Sequence, residues 1–583
     1  MGLFLGGTGG RDGGATLYSQ KQPLAIQSVA GKPTVGRFQV EEIRVSATGT
    51  YDNPFDSTDV RLDAWVTPPK SKPYSIPGFL SQDFQSQLVG SAETLDKRGE
   101  PVWKIRVAPT EIGHYSVKIV FKDHSGSVDK SFRFESGVSQ EPGPVQVSST
   151  DSHYFQTQTG ATYFPIGANV GWAGPRGTFD YQDWLGDYGK NRCNFGRLLL
   201  GPSWSTFALE RKGNLKQGLG AGMIDLQAAW KLDRVLAVAG EDGLNLELCL
   251  DSDNEFRIRD NRPDWPENPL NRDNGGPLRV WSDFWSNPAS ERIYEDKLRY
   301  LVARYSANEH VMAWELWNDV DHFPEYDPAV GRAWHAHIAR TLKAMDPYHH
   351  LITTSFSQPF SDRDTFLLAD LDFSTVHVFS SSFVGVIADV LQRRSDWGKP
   401  SFVEVVAGDL ESPHSGQDLL GVQVHDPQWI SLATGGAGSA APWFWDSLIA
   451  KNNLYGLFSA FGAFVQNLDF GSEQFRPTAS QIQPPTLNVW SLIGNDVALA
   501  WVQPKRRSWQ SVVLENSPIT PTEPSVVTLS DLAEGEWTVE VWDTWKGTPT
   551  TSFAVHVGLD GKAVVHLAGF TRDVALKLRR SKA

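Results

Sequence analysis

Cysteine is almost missing from this chain: its 583 residues include only Cys193 and Cys249, too few for a disulfide framework. The predicted strands place the two near opposite ends of neighbouring strands, so both are expected to be buried thiols. Long apolar runs are missing too, since no stretch approaches the roughly 20 residues that a membrane-spanning helix requires. Positive charge is in deficit: 53 Lys+Arg stand against 68 Asp+Glu, a formal charge of −15 and a pI near 5.4. A chain of that sign repels phosphate backbones and anionic lipid surfaces, so neither nucleic acid nor membrane is expected as a partner. No His/Cys grouping has zinc spacing. The DSDNE run (Asp251, Asp253, Glu255) spaces its acids like a calcium loop but lacks the glycine and distal Glu that complete one. The opening GGTGGRDGG follows no strand and is expected to be a flexible terminus rather than a phosphate loop. Neither cofactor nor metal is therefore expected. The first residues, MGLFLGGTGGRDGG, have no basic region followed by an apolar core, so they are not a signal peptide as they stand. The chain is expected to be secreted or periplasmic with its export signal removed; an intracellular location is also compatible.

Tryptophan, in contrast, is abundant: 22 residues, roughly three times the usual share. Most are expected to fill cores, but indole faces also stack on the flat C–H faces of sugars. The length exceeds one hydrophobic core and predicts roughly three or four units. From about Gly36 to Phe134, segments such as VRLDAWVTPP and HYSVKIVFKD alternate apolar and polar between Gly, Pro, Asp and Asn clusters, which predicts an antiparallel β-sandwich. The Pro/Gly/Ser/Gln stretch at 137–150 reads as a linker. Apolar runs then alternate with helical segments, the rhythm of a parallel barrel. Eight strands are predicted at 163–170, 194–200, 244–250, 311–317, 351–356, 373–379, 401–406 and 440–445, with helices at 290–306 and 329–345 among those between them. From about Leu487 the alternation returns. The expected organisation is a flexible terminus (1–20), a β-sandwich (21–136), a linker (137–150), an α/β (β/α)8 TIM barrel (151–475) and a second antiparallel β-sandwich (476–583).

In such a barrel the C-terminal strand ends and the loops after them form one shared mouth. Candidate site residues there are Asn169 and Trp172 after strand 1, Arg197 and Trp204 on and after strand 2, and Asp251, Asp253 and Glu255 after strand 3. Asn318, Asp319 and Asp321 follow strand 4, His377 lies on strand 6, Glu404 on strand 7, and Trp443, Trp445 and Asp446 at strand 8. Cleavage of a glycosidic bond needs two carboxyl groups across the scissile bond. Strands 4 and 7 stand on roughly opposite sides of the barrel, so Asp319 and Glu404 could face each other over a bound sugar. Trp445 is a plausible floor for that sugar. Asp321 is a reserve acid, and Glu315, deeper in strand 4, a second reserve that fits better in a buried network with Arg197. Arg197, if buried, must be paired, and would orient a carboxylate such as Glu404.

The run HVMAWELWNDVD resembles the strand 4 signature of clan A glycoside hydrolases, and GKPSFVEVVAG resembles their strand 7 signature. NFGRLLL, VHVF and WFWD are similar to the clan's strand 2, 6 and 8 segments. The flanks look like a cellulase-like, family 5-related subgroup with sandwiches at both ends. The resemblance implies a carbohydrate substrate, Asn318 holding a sugar hydroxyl, Asp319 as acid/base and a nucleophilic Glu on strand 7. Two positions depart from the pattern. Asp319 stands where the clan has Glu, and the usual spacing from Lys399–Pro400 puts the nucleophile at Val405, one residue past Glu404. Because strand residues alternate faces and an outward ionised Glu would be costly to bury, Glu404 is expected to point inward to the polar mouth. A barrel that binds carbohydrate without cleaving it, and a catalytic pair moved elsewhere with inverted stereochemistry, are the competing readings.

Overall fold

The computed structural model describes residues 16–581 apart from 203, 259–263 and 410–414. Most of the expected flexible terminus, including GGTGGRDGG, lies outside the described residues. Between Gln20 and Gly137 nine strands form two sheets, one of four strands and one of five. Alternation decides which face is covered. In Arg61–Thr67, Leu62, Ala64 and Val66 are fully buried. They stand opposite Phe121, Ile119 and Val117 of Gly113–Asp123, so one face of both strands is apolar throughout. The stretch expected as a linker is partly ordered structure: Val145–Val147 pairs with Phe155–Thr157 in a small antiparallel sheet.

A mixed α/β region follows. Seven parallel strands are β1 (Gly167–Asn169), β2 (Phe195–Leu199), β3 (Asn245–Cys249), β4 (Val311–Glu315), β5 (Leu351–Thr353), β6 (Ser374–Phe379) and β7 (Ser401–Ala407). Strands β1 to β5 pair in sequence order, as do β6 and β7. Every residue of β2, β4 and β7 is buried, as near-continuous apolar runs covered on both faces require. The helices lie between them: α1 (Thr178–Lys190), α2 (Leu226–Glu241), α3 (Pro288–Tyr305), α4 (Pro328–Met345), α5 (Arg363–Phe366), α6 (Phe383–Arg394) and α7 (Val422–Ala433). Both α3 and α4 open on an N-cap, Asn287 or Asp327, whose side chain accepts from two backbone N–H groups, and both place proline at the first helical position.

The eighth expected strand, 440–445, does not form as a ladder. Pro442 has no N–H to donate and contributes a single bridge to Val406. The chain still connects β7 to β1 there, because Ala441 N–H donates to Val403 O (2.9 Å) and Asn169 N–H to Pro442 O (3.1 Å). From Trp445 it winds into a π-helical turn, Trp445–Ala450. The last part is β again: a six-stranded and a three-stranded antiparallel sheet between Arg476 and Arg580. Cys193 and Cys249 are both free and buried. No helix among the described residues is long and apolar enough to cross a membrane.

One ionic clasp joins the first β-region to the α/β region. Arg106, at the end of strand Ala92–Val107, donates to Asp233 of α2 through both terminal nitrogens (2.7 and 3.1 Å), and the fully buried Arg304 of α3 reaches the same carboxylate at 2.7 Å. Removing the shared carboxylate leaves the buried Arg304 without its carboxylate and Arg106 with Glu42 alone (3.0 Å). Asp233→Ala is therefore expected to cost about 3 kcal/mol, read as a lower urea midpoint for the first cooperative transition. An unchanged midpoint would contradict this account of the clasp.

Candidate active site

The C-terminal strand ends open on a cavity of about 630 Å³ whose walls include Trp172, Asp253, Asn318, Asp319, Val405 and Trp443. Local backbone pairing builds its acidic side. Beyond the ends of β3 and β4 the two chains stay in register: Ser252 bridges Asn318, Asn318 N–H donates to Asp251 O (2.9 Å) and Asp253 N–H to Asn318 O (3.3 Å). Asp319 then adopts a left-handed conformation, φ 51°, with its N–H donated to Ser355 Oγ at 3.0 Å. Such conformations are uncommon outside glycine and persist where surrounding structure enforces them. The result brings one oxygen of Asp253 within 4.8 Å of one oxygen of Asp319.

Beneath the cavity lies a buried polar network. Arg197 donates to both oxygens of Glu315 (2.7 and 2.8 Å), to Asn169 Oδ1 (3.0 Å) and to Asn318 Oδ1 (2.8 Å), and its Nε lies 3.4 Å from Glu404 Oε2. His377 bridges the two acids expected to act together: Nδ1 is 2.7 Å from Asp319 Oδ1 and Nε2 is 2.7 Å from Glu404 Oε2. Burial alone would strip the imidazole of its charge, but the carboxylates on either side outweigh it and raise its pKa to about 9. Burial works against the charge of Asp319 as well, and the imidazolium overcomes it, holding Asp319 below the usual carboxylate range. Glu404 is likewise held down, against its burial, by Arg197, His377 and a hydrogen bond from Glu247. Glu247 itself is fully buried. Burial and the neighbouring Glu404 charge push its pKa well up.

Asp253 has the opposite tendency. Burial first and the Asp319 charge second raise its pKa to about 6, against the pull of Arg257 and His322. Two carboxyl groups of one cavity wall are thus driven apart, one kept ionised and one inclined to hold its proton.

Several expectations are corrected here. Glu404 does face the interior, toward Arg197 and His377, but it has no exposed surface, and the cavity wall is Val405. The cause is an irregularity in pairing: Val376 stands opposite Val403 and His377 opposite Val405, so Glu404 is an extra residue and simple alternation fails. Trp445 is 2% exposed and packs at 5.1 Å against Trp172, so it offers no face to a sugar; the tryptophans that line the cavity are Trp172 and Trp443. Asn169 is fully buried, with its amide spent on the carbonyls of Glu404, Ala441 and Pro442. Asp251 is buried in an ion pair with Lys297 (2.8 Å) around a separate small cavity that Glu255 also lines. Asp321 is occupied by the N–H and hydroxyl of Ser357 (2.7 and 2.8 Å), and Glu315 by Arg197. Trp204 is half exposed and touches the edge of Trp172, while Asp446 is exposed away from the cavity wall. Sequence reasoning placed Asp253 among the acids after strand 3 but gave it no catalytic role, and it missed Arg257, His322 and Glu325, cavity-lining loop residues with no periodic signal.

Known proteins resemble parts of this chain. The chain is 22% identical over 213 residues to mannan endo-1,4-beta-mannosidase 5 of Solanum lycopersicum, an alignment covering 32% of this chain and 50% of that one. It is 24% identical over 204 residues to mannan endo-1,4-beta-mannosidase 3 of Oryza sativa subsp. japonica, covering 30% and 42%. Both relatives are named mannan endo-1,4-beta-mannosidase, and the likeness to them spans about a third of this chain. The chain spans about half the length of the curated relatives it matches. Among solved structures, a Bacteroides vulgatus ATCC 8482 protein titled "putative glycoside hydrolase" superposes with a TM-score of 0.64 at 15% identity, covering 94% of this chain and all of the other, a likeness of fold. Residues 34–122 match the model of a domain of unknown function, DUF5060.

The raised Asp253 pKa makes stability depend on pH. A carboxyl group that binds its proton more tightly when folded favours the folded state less and less as pH rises from about 4 to about 6, and its full cost is present above that. Asp253→Asn, measured by urea unfolding, is expected to be more stable than the parent by about 1–3 kcal/mol at pH 7, with the difference fading below pH ~4. A difference independent of pH would refute it.

Proposed function

We propose that this chain is a glycoside hydrolase acting on a β-linked polysaccharide, with β-1,4-mannan as the first substrate to examine. On this reading residues 151–475 are a (β/α)8 barrel held between two β-sandwiches, 21–136 and 476–583. The observation that carries the reading is Asp319, ionised on the wall of a cavity flanked by Trp172 and Trp443. Indole faces suit the C–H faces of a sugar chain, and the acid sits in the Trp-Glu-Leu-Trp-Asn-Asp run at the end of β4. The curated relatives named as mannan endo-1,4-beta-mannosidases supply the substrate class. Asn318, fixed by Arg197 and lining the same cavity, is positioned to hold a sugar hydroxyl. Glu404 has no surface to offer a substrate. Its role here is to keep His377 charged and thereby Asp319 ionised, which makes it a positioning residue.

The full chain, incubated with β-1,4-mannan, galactomannan, xylan and cellulose, is expected to release reducing ends from the mannans. Asp319→Asn is expected to lower that turnover by at least about 10³-fold with circular dichroism unchanged. Parent-level turnover by this variant would sink the assignment.

A second reading, a barrel that binds glycans without cleaving them, draws on one observation: the position reached from Lys399–Pro400 by the family spacing is Val405, an apolar residue on the cavity wall. Calorimetric binding of mannohexaose with no product after prolonged incubation would select it.

A further inference from the structure

We propose that Asp253 is the second catalytic carboxyl group, the proton donor that works with Asp319, so that the reacting pair comes from the loops after β3 and β4 rather than from β4 and β7. This rests on the glycosidase reading above.

Three features of the structure carry it. First, a glycosidase needs two carboxyl groups that both reach the sugar. Glu404 is fully buried against His377, and the β7 residue that lines the cavity is the apolar Val405, so β7 supplies no acid to it. Asp253 and Asp319 both line it. Second, their separation suits the chemistry. With one oxygen of each within 4.8 Å, the pair lies nearer the ~5 Å spacing of retaining enzymes than the ~6.5–9.5 Å of inverting ones. The separation is not left to flexible side chains, because the Ser252–Asn318 bridge and the bond from Asp253 N–H to Asn318 O tie the two loops backbone to backbone. Third, each acid has the surroundings its role demands. Asp319 takes a hydrogen bond from charged His377 on Oδ1 and one from the Asn318 amide on Oδ2 (3.1 Å), which suits a carboxylate that must attack and later depart. Asp253 is 7% exposed, faces Asp319, Arg257 and His322, and is inclined to keep its proton.

The reaction then runs in two displacements. An oxygen of Asp319 attacks the anomeric carbon. The bond from that carbon to the leaving oxygen breaks, and the leaving oxygen keeps the electron pair and takes the proton of Asp253. The products are a glycosyl ester on Asp319 and a free sugar alcohol. Water next attacks the same carbon and gives a proton to the Asp253 carboxylate. The ester bond breaks with its electrons returning to Asp319, and the sugar leaves with its original anomeric configuration. The His377 imidazolium stabilises the departing Asp319 carboxylate.

Azide tests the assignment, because it enters where the missing carboxyl group would have acted. Full-length Asp253→Ala and Asp319→Ala, each with its Asn counterpart as a check on folding by circular dichroism, are assayed with 2,4-dinitrophenyl β-mannobioside and with mannohexaose. Asp253→Ala is expected to lose about 10²–10⁴-fold on mannohexaose, whose leaving group needs a proton, far less on the dinitrophenyl substrate, and to yield the β-glycosyl azide. Asp319→Ala is expected to yield only the α-glycosyl azide. Parent-level turnover of mannohexaose by Asp253→Asn, or an α-glycosyl azide formed by Glu404→Ala but not by Asp319→Ala, overturns this pairing while leaving the glycosidase reading intact. A parent protein that turns over neither substrate overturns both.

Discussion

The guanidinium of Arg197 is the charge around which the site is built. It is fully buried, and a cation withdrawn from water persists only where several partners replace the lost hydration. Its four partners come from other segments: Asn169 at β1, Glu315 on β4, Asn318 after β4, and through its Nε the edge of Glu404 on β7, while Arg197 itself belongs to β2. Each of those partners then constrains something else. Asn169 fastens the segment around Pro442 to β1, where no complete eighth strand exists to do so. Asn318 steadies Asp319, and Glu404 fixes His377. The acid on the cavity wall is thus held through two independent routes that both begin at one buried cation.

Much of this was legible in the residues, and the parts that were not share a physical cause. Apolar runs such as VMAWE and the alternation of RLDAWVT are periodic, so the strands could be found to within a few residues, and helical spacing of apolar residues marked the helices at 290–306 and 329–345. The polar strand ends could be gathered into one region because a parallel sheet brings them together. Depth within that region could not be read. Alternation distinguishes inward from outward but not the layer below a cavity from its wall, and a single extra residue at Glu404 exchanges the two. Trp445 and Asp251 failed for the same reason: each lies at the right end of a strand and is buried behind another side chain. Asp253 gained its place from pairing between loops, a contact with no periodic signature.

The three regions of the chain are also joined by buried charges rather than by apolar contact alone. At the C-terminal side, Arg507 donates to both oxygens of Asp426 on α7 (3.1 and 3.0 Å), which also accepts from Gln503 (2.8 Å), and His425 stacks at 4.0 Å on Trp545. All twelve residues of α7 are buried, so this helix is interior to the molecule as a whole although it lies at the margin of the α/β region. The last β-region therefore braces the α/β region on that side.

The clasp made by Arg106, Asp233 and Arg304 carries a further meaning for how the molecule can be dissected. Cutting the chain after the first β-region would strip Asp233 of one cation and take from the buried Arg304 the ring of Phe79 that covers its guanidinium. The middle of the protein is thus not a self-sufficient body onto which an accessory was later fastened. Its outer helices were shaped to have a neighbour, and what looks in the sequence like a detachable preface is part of the wall.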